Sequence, residues 1–491
     1  MRILVAALAL AGCAGQIVHK QGADASGWRR VTTDHITLHT DVDADEARGM
    51  AVELERTYTA LQEVGFPYPT HGPERIEAIV LRREEDYKPI GPPHTVGFFV
   101  DDGLLSLERV PTLVLWGDLR EDTRRVLRHE LTHWFARMHH AQAPVWLHEG
   151  LAEYFSTLDL ADGAATLGRT PPRYVEAIAR VPRAGELLRM SGAEFYGREA
   201  KDEKAVARVS ANYLGAWSLV HALRNGAPEL QDRFLGYLER TARGESHEQA
   251  WGATVGALPE AELDRAQREL LRNRLRGILR TALRTAAPPV REVAELDVTA
   301  YRILRARLDV RGDLAARRRA RAELAAALAE RPDQPELLHL RGLFGLVESD
   351  LEAAARDARA AAALRPGHAP DALLLAEALI RQPGGVRGGE IEPLVAVLKA
   401  SATPRTSLVL ARYLLATGRL GEALAYARKA VTADPGQLGT WVAYADVLEA
   451  RGAFAAAVEA CTRAVNLVPE GASAPGLDRR LRALQARAGA R

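Results

Sequence analysis

The sequence has few cysteines and almost no excess charge, and its N-terminal apolar run is too short to cross a bilayer. Two cysteines, Cys13 and Cys461, occur among 491 residues, so stability must come from core packing and not from a disulfide network. The 65 basic and 64 acidic residues leave a formal net charge of +1, which gives no reason to expect a nucleic acid partner. With 47% hydrophobic and 26% charged residues, the composition is that of a globular protein, and the length suggests about three domains.

The N-terminus has the features of a targeting segment. Arg2 precedes a wholly apolar run, Ile3–Ala11, which is shorter than the ~20 residues that a membrane-spanning helix needs. The run ends in Leu10-Ala11-Gly12-Cys13. We therefore expect a signal peptide over residues 1–13. The glycine, serine, alanine and glutamine of the next residues predict a tether over 14–27.

The four residues that end this run resemble the lipobox of bacterial lipoproteins. The resemblance implies cleavage before Cys13 and attachment of lipid to its sulfur, which leaves Cys461 without a disulfide partner. Ala14, in place of an aspartate, favours sorting to the outer membrane by the same resemblance. The expected location is the bacterial cell envelope, with the protein lipid-anchored in the outer membrane and facing the periplasm.

The segment His129–Phe155 contains the residues most typical of catalysis. In His129-Glu130-Leu131-Thr132-His133 the histidines are four residues apart, so on a helix both imidazoles point to one side and can bind one ion. Glu130 is rotated away from coordination but stays close to a water that the ion would hold. Asp118 and Glu121 form a possible capping box at the start of this helix. A catalytic zinc has three protein ligands and one open position, so one ligand remains to be found.

Two glutamates on the following segment can supply the third ligand. Glu149 and Glu153 are four residues apart and therefore share one face of a second helix. Pro144 lies near the first turn of that helix, where proline is favoured. The spacing alone does not choose between the two glutamates.

HELTH followed by WLHEGLAEYF resembles the gluzincin metallopeptidases, the class that includes thermolysin and aminopeptidase N. In that class the third ligand is a glutamate followed by glycine, an apolar residue and alanine. The resemblance therefore assigns His129, His133 and Glu149 to Zn²⁺ and makes Glu130 the catalytic base. It places Glu153 behind the ligands, holding a ligand histidine through its other nitrogen. It also implies an α+β, zincin-like metallopeptidase domain in which a sheet lines the cleft above the metal.

A tyrosine further along the chain is the candidate donor to the oxyanion. In gluzincins of the aminopeptidase N type, this tyrosine lies some sixty-odd residues beyond the third ligand, and Tyr213 lies 64 residues beyond Glu149. Tyr213 also falls on an apolar helical stripe, and the alternative is that its side chain only packs in the core. Tyr196 is the reserve candidate.

Three other histidines are not assigned to the metal. His139 and His140 close the first metal helix, and we expect them in solvent near its C-terminus. His148 precedes Glu149 and points about 100° away from it on a helix, which predicts a residue of the cleft wall.

Short strands are predicted before the metal motif and helices after it. Helical spacing predicts a helix over Asp45–Val64, and a long helix is expected over Ala205–Leu223. The double proline Pro288–Pro289 predicts the end of a domain over 28–287. By analogy with gluzincins, an edge strand of the sheet would bind a peptide by strand addition, but the sequence does not identify that strand. The predicted strands are Ile36–Leu38, Ile76–Leu81, Val96–Val100 and Thr112–Leu115.

Beyond the double proline the sequence repeats with a period of 34 residues. The pattern resembles tetratricopeptide repeats, with the resemblance strong over 404–470, fair over 335–366 and poor over 300–331. Pro383–Gly389 interrupts the period and is predicted to be a loop. The resemblance implies an all-α solenoid over 290–491 with a concave face for a protein partner. Pairs of residues 34 apart are Pro332 and Pro366, Gly418 and Gly452, Ala423 and Ala457, and Pro435 and Pro469.

These features predict a membrane-anchored zinc metallopeptidase that hydrolyses peptide bonds in envelope proteins or peptides. The repeats would recruit a protein partner or an unfolded substrate. The Gly-x-Met-Glu-Asn motif of the aminopeptidase N class does not precede His129, which favours an endopeptidase. The alternative is a catalytically silent lipoprotein adaptor that presents its repeats to envelope partners. The full set of His129, Glu130, His133 and Glu149 favours the enzyme.

Overall fold

The computed structural model describes most of the chain. The predicted signal peptide, Cys13 and all of the tether except Gly27 lie outside the described residues. Among the described residues, no helix is long and apolar enough to cross a membrane. The described ranges are 27–69, 75–92, 95–100, 110–170, 178–197, 204–272, 278–284, 289–383, 388–467 and 474–489.

Two sheets lie in the N-terminal part of the described chain. The first has the strand order β4-β5-β3-β2-β1-β9, and the second has the order β6-β7-β8. Strands β2, β3 and β5 are parallel, whereas β4 pairs with β5 in the antiparallel sense and forms one edge. The strands are β1 (Arg29–Thr32), β2 (Ile36–Thr40), β3 (Ile76–Leu81), β4 (Gly97–Val100), β5 (Thr112–Trp116), β6 (Asp159–Ala161), β7 (Ala164–Leu167), β8 (Leu279–Ala282) and β9 (Glu292–Glu295).

Ten α-helices lie among the described residues before the repeats begin. The first of them continues into a π-helical turn at Leu61–Gly65, so the predicted helix over Asp45–Val64 is confirmed in extent. The ten helices are α1 (Ala44–Ala60), α2 (Glu84–Tyr87), α3 (Glu121–His140), α4 (Val145–Ser156), α5 (Ala184–Arg189), α6 (Gly192–Phe195), α7 (Lys204–Asn225), α8 (Pro228–Ala242), α9 (His247–Gly252) and α10 (Glu260–Arg272).

The central strand β3 is buried on both faces of the larger sheet. Ile76, Ala78 and Val80 pack into the core that contains α1, α3 and α4. Ile79 and Leu81 point to the opposite face, where they pack against a helix that follows β9. A strand covered on both sides has a nearly continuous apolar sequence, which explains why IEAIVL, apolar except for Glu77, is recognisable as a strand.

Strand β9 lies beyond the double proline at which the sequence predicts a domain boundary, and it pairs with β1 in the larger sheet. The helix after it, α11 (Val298–Asp309), supplies Leu304 and Leu308 to the core on the second face of that sheet. Arg307 of α11 forms two hydrogen bonds with buried Glu77 of β3, at 2.7 and 2.8 Å. The C-terminal helices are thus attached to the sheet by both a core and a buried ion pair.

The C-terminal part is entirely helical in the described residues. Its helices pack as consecutive pairs, and helix starts recur at 34 residues from α13 to α15, from α17 to α19 and from α18 to α20. Helix α16 starts 37 residues after α14. Residues 384–387 of the predicted Pro383–Gly389 loop lie outside the described residues, and Gly388 and Gly389 belong to α16, which corrects the end of that loop. The helices after α11 are α12 (Leu314–Glu330), α13 (Pro335–Val347), α14 (Leu351–Leu364), α15 (Ala369–Arg381), α16 (Gly388–Ser401), α17 (Pro404–Ala416), α18 (Leu420–Ala433), α19 (Leu438–Ala450), α20 (Phe454–Asn466) and α21 (Pro475–Gly489).

Candidate metal centre

Helix α3 carries the HELTH motif and helix α4 carries the HEGLAE motif. A short turn joins the two helices, which pack against each other. Helix α4 begins at Val145, directly after Pro144. The predicted capping box at the start of α3 is wrong: Arg120 is the N-cap residue and makes no side-chain cap. Asp118 instead pairs with the Arg120 guanidinium at 2.5 Å, because α3 begins too late for its carboxylate to reach the first turn.

Glycine is required at position 150 for α4 to approach α7. A Cβ at Gly150 would lie 2.7 Å from the carbonyl oxygen of Ala216 and 2.6 Å from Cγ2 of Val220. Both distances are shorter than side-chain contacts allow, so only glycine lets the two helices meet here. The close approach holds the preceding residue, Glu149, in the interior of the molecule.

The side chains of His129, His133 and Glu149 converge on one point. Each offers one ligand atom within 4.8 Å of the others. The two Nε2 atoms are 3.0 Å apart, and Glu149 Oε2 lies 3.5 Å from that of His129 and 3.6 Å from that of His133. Two imidazoles and a carboxylate are the donor set of catalytic zinc sites.

The two oxygens of Glu149 have different environments. Oε1 accepts a hydrogen bond from the Tyr196 hydroxyl at 2.6 Å. Oε2 is buried, has no hydrogen-bond partner among the described residues and faces both imidazoles. A buried carboxylate oxygen with no donor is costly, and a cation between it and the imidazoles would satisfy it. The residues therefore fit a divalent metal ion.

Glu153 lies on the other side of His129. Its Oε1 is 3.3 Å from Nδ1 of His129, whereas Glu149 faces Nε2 of the same ring. A carboxylate on the second ring nitrogen orients a metal-binding imidazole and fixes its tautomer. The two glutamates that spacing could not separate thus occupy different places, Glu149 among the ligand atoms and Glu153 behind them.

The carboxylates control the charge of this cluster. Burial by itself would lower the pKa of His129, but the nearby carboxylates of Glu149 and Glu153 outweigh it and raise that pKa to about 10. For Glu149, burial by itself would raise the pKa, but His133 and His129 hold it well below the usual range of a glutamate. At neutral pH, without a metal ion, His129 therefore carries a proton, which a metal ion at Nε2 must displace.

The catalytic candidates outside the ligand set lie around this cluster. Glu130 is partly buried on α3. Tyr213 is partly buried on α7, with its ring edge-on to Phe195 at 5.2 Å and 6.4 Å from the ring of Tyr196. Of the two tyrosines, Tyr196 is the one whose hydroxyl contacts Glu149. No pattern in the sequence signals that hydrogen bond, since the two residues are 47 positions apart, Glu149 on α4 and Tyr196 directly after α6.

His139 and His140 are buried, which corrects the prediction that they lie in solvent. Phe66 and Tyr68, which follow α1 and its π-helical turn, contact the imidazole rings of both histidines. Nδ1 of His140 lies 2.8 Å from the hydroxyl of Thr241 on α8. Burial holds the pKa of His140 well below its usual range, so the ring is neutral. These contacts come from distant segments, which the helix-end position alone could not reveal.

His148 is held away from the ligand atoms. Its ring hydrogen-bonds to the backbone carbonyl of His140. Burial, followed by repulsion from His133, lowers the pKa of His148 to about 3. The residue is therefore a neutral part of the α3–α4 packing.

The comparisons with known proteins concern the helical repeats. The tetratricopeptide repeat family model matches residues 404–446, where the predicted resemblance is strong, so the prediction of C-terminal tetratricopeptide repeats is confirmed. No curated protein matches the chain. The zincin-like character of the N-terminal part stays a prediction.

Several solved structures are similar to this chain at low identity. A thermophilic TPR protein of Thermus thermophilus, TTC0263, is 19% identical, with a TM-score of 0.30 over 35% of this chain and 92% of its own. MamA from Desulfovibrio magneticus RS-1 is 19% identical, with a TM-score of 0.26 over 32% of this chain and 88% of its own. Yeast Tom70 is 15% identical, with a TM-score of 0.28 over 70% of this chain and 56% of its own.

Proposed function

We propose that the protein is a zinc metallopeptidase that cleaves extended or unfolded polypeptides. The observation that carries the proposal is the convergence of His129, His133 and Glu149, with the Glu149 oxygen buried and facing both imidazoles. Glu130 follows the first ligand directly in the chain. Glu153 and Tyr196 hold two of the three ligand side chains in place.

In the proposed reaction His129, His133 and Glu149 would hold the zinc ion. The ion would supply Lewis acidity, which lowers the pKa of a bound water from 15.7 toward about 7 and polarises a carbonyl. Glu130 accepts the proton of the attacking water and then donates it to the leaving amine nitrogen. A tyrosine hydroxyl donates a hydrogen bond to the oxyanion, and Tyr213 and Tyr196 are the candidates.

The edge of the larger sheet supports extended chains as substrates. Strand β4 is the outermost strand beside β5 in the described residues, and it packs against α3. The outer backbone groups of such a strand can pair with a peptide. In the gluzincin resemblance, substrate binds along an edge strand above the metal, and β4 is the candidate here. The missing Gly-x-Met-Glu-Asn motif favours internal cleavage over removal of single N-terminal residues.

The second candidate function is the lipoprotein adaptor. The observation that favours it is the tetratricopeptide repeat match over 404–446, since such repeats indicate protein–protein interaction. In this function the N-terminal part is silent and the repeats bind an envelope protein. Both candidates share the proposed lipid anchor at Cys13 and the proposed periplasmic face of the outer membrane.

Zinc content and proteolysis together separate the two functions. Wild type and Glu130→Gln are purified, loaded with zinc and incubated with an unfolded protein. The peptidase predicts about one zinc per chain in both proteins and cleavage by wild type alone, because Glu130 moves the proton but does not bind the metal. Absence of cleavage by zinc-loaded wild type would favour the adaptor. Equal cleavage by both proteins would contradict the role of Glu130.

A further inference from the structure

The Tyr196 hydroxyl reaches Glu149 from a short turn of the chain. Tyr196 directly follows α6, a helix of only four residues, and its hydroxyl donates a hydrogen bond to Oε1 of Glu149 at 2.6 Å. A single helical turn is only marginally stable by itself. The position of the hydroxyl therefore depends on the contacts that hold the end of α6 against the rest of the fold.

Asn212 of α7 holds the end of α6 by a hydrogen bond. Its side-chain Nδ2 donates to the backbone carbonyl oxygen of Phe195 at 2.8 Å. Phe195 is the last residue of α6, where backbone carbonyls have no partner within the helix, and its carbonyl belongs to the peptide bond that leads to Tyr196. Both Asn212 and Phe195 are buried, so the hydrogen bond lies in an environment of low dielectric, where it is strong.

The ring of Phe195 is held by the same part of α7. It lies edge-on to the ring of Tyr213 at 5.2 Å and edge-on to the ring of Tyr196 at 5.3 Å. Edge-to-face contacts of this kind are a favoured arrangement of aromatic rings. Asn212 and Tyr213 are consecutive residues of α7, so neighbouring side chains hold both the backbone and the ring at the end of α6.

The same helix also sets the backbone beside Glu149. Asn212, Ala216 and Val220 are spaced four residues apart on α7 and therefore share one face. Ala216 and Val220 are the residues that α4 approaches at Gly150, directly after Glu149. One face of α7 therefore contacts both the helix that carries Glu149 and the turn that carries its hydrogen-bond donor.

We propose that Asn212 is a positioning residue of the candidate metal centre. By holding the end of α6, its amide keeps the Tyr196 hydroxyl on Oε1 of Glu149. Oε2 is then the oxygen that faces both imidazoles and remains for a metal ion. The inference rests on the zinc site of the proposed function and not on peptide cleavage.

A pair of matched substitutions in the full chain tests the role of Asn212. Asn212→Asp removes the amide donor with almost no change of shape, and Gln267→Glu makes the same chemical change in α10. Buried Gln267 donates to the backbone carbonyl of Gly215 in α7 at 3.1 Å. In competition with a chelating dye, we expect Asn212→Asp to weaken zinc binding about tenfold, whereas Gln267→Glu stays within about twofold of wild type. Equal zinc affinities of the two variants overturn the proposal.

A double variant shows whether Asn212 acts through Tyr196. In a Tyr196→Phe background the hydrogen bond to Glu149 is already lost, so Asn212→Asp should weaken zinc binding by less than about twofold further. Residues that act through one contact are coupled in this way, whereas residues that act independently give additive losses. A fully additive loss in the Tyr196→Phe background overturns the proposal, because Asn212 would then act by another route.

The outcomes separate this inference from the proposed function. The zinc affinities are measured without substrate, so a wild type that cleaves nothing contradicts the peptidase while the zinc measurements still decide the inference. A wild type that binds no zinc overturns the metal centre and the inference together. Circular dichroism and melting temperatures confirm that each variant is folded. If Asn212→Asp unfolds, Asn212→Ala and Gln267→Ala repeat the comparison with the same expected difference in zinc affinity.

Discussion

The repeats and the metal-centre region are built in different ways. In the repeats, one pair of helices follows another at 34 residues, as in the starts of α17 at Pro404 and α19 at Leu438, and each pair packs on the next. In the region of the candidate metal centre, two candidate ligands come from α3, one from α4 and the supporting hydroxyl from Tyr196 after α6. A fold in which each helix pair packs on the next pair in sequence tolerates local substitutions. A site assembled from segments far apart in sequence depends on a few contacts between them.

The difference also explains what the sequence could predict. The 34-residue period of the sequence predicts the helical repeats, and the apolar residues of β3 predict a strand that is buried on both faces. By contrast, β8 (LRTA) and β9 (EVAE) have no alternating apolar pattern and form strands only because partners from far along the chain pair with them. The burial of His139 and His140 could not be predicted for the same reason, because the residues that cover them come from distant segments.

The sequence could predict which residues form the candidate site but not how the fold assembles them. Spacing places His129 and His133 on one helix face, and the structure brings Glu149 to their Nε2 atoms and Glu153 to the far nitrogen of His129. The gluzincin resemblance suggested Tyr213, with Tyr196 in reserve, and in the structure it is the Tyr196 hydroxyl that contacts Glu149. Hydrogen bonds between separate helices leave no periodic trace in a sequence.

The largest expected effect comes from breaking the link between the two regions. Arg307→Met leaves Glu77 buried without its cation, and we expect a loss of roughly 3–5 kcal/mol in the free energy of unfolding, measured by urea denaturation. Arg302→Met, which removes the exposed pair with Glu330, is the matched control, with a loss below about 1 kcal/mol. Similar losses in the two variants would contradict a buried link.

The same ion pair predicts a pH dependence. Burial by itself would raise the pKa of Glu77, but Arg307 and His39 outweigh it and hold that pKa well below the ordinary 4.5. A lowered folded-state pKa stabilises the fold above the unfolded-state value, and this stability is lost as pH falls below about 4.5. Wild type should therefore lose more stability than Glu77→Gln/Arg307→Met between pH 5 and pH 3. If the free energies of unfolding of the two proteins fall in parallel between pH 5 and pH 3, the ion pair contributes nothing to the pH dependence of stability.

A smaller effect is expected from the close approach of α4 and α7. Gly150→Ala should cost roughly 1–3 kcal/mol of folding free energy by overpacking, and it should weaken zinc binding because Glu149 moves. Gly439→Ala in α19 is the control, since the nearest atom to its added Cβ is at 3.8 Å, and its stability should change by less than about 0.5 kcal/mol. Thermal unfolding and zinc titration of the two variants measure both effects.

Tyr196→Phe should weaken zinc binding by about tenfold to a hundredfold, the usual effect of losing a hydrogen bond to a metal ligand. Tyr237→Phe is the matched control, because its hydroxyl lies 2.9 Å from Nδ1 of His247 and contacts none of the candidate ligands, and its zinc affinity should equal that of wild type. Competition with a chelating dye gives both affinities without any assay of activity. If the two variants bind zinc equally, the Tyr196 hydroxyl does not position Glu149.

The smallest effect is expected on the surface of the repeats. A Cβ at Gly421, in the first turn of α18, would meet no atom within 4 Å, so Gly421→Ala should stabilise the protein by about 0.4–1 kcal/mol. Gly418→Ala, three residues earlier, should do the opposite because its φ of +75° is unfavourable for alanine. Melting temperatures that shift in the same direction for both variants would contradict this assignment of backbone conformation.

The most direct test of the account is the zinc stoichiometry of wild type and Glu149→Ala, measured by elemental analysis after loading and dialysis. The account predicts about one tightly held zinc per chain in wild type. It predicts a loss of affinity of at least about a hundredfold in Glu149→Ala, because two imidazoles alone do not complete the site. No retained zinc in wild type, or equal zinc in the two proteins, would contradict the assignment of His129, His133 and Glu149 as a metal centre.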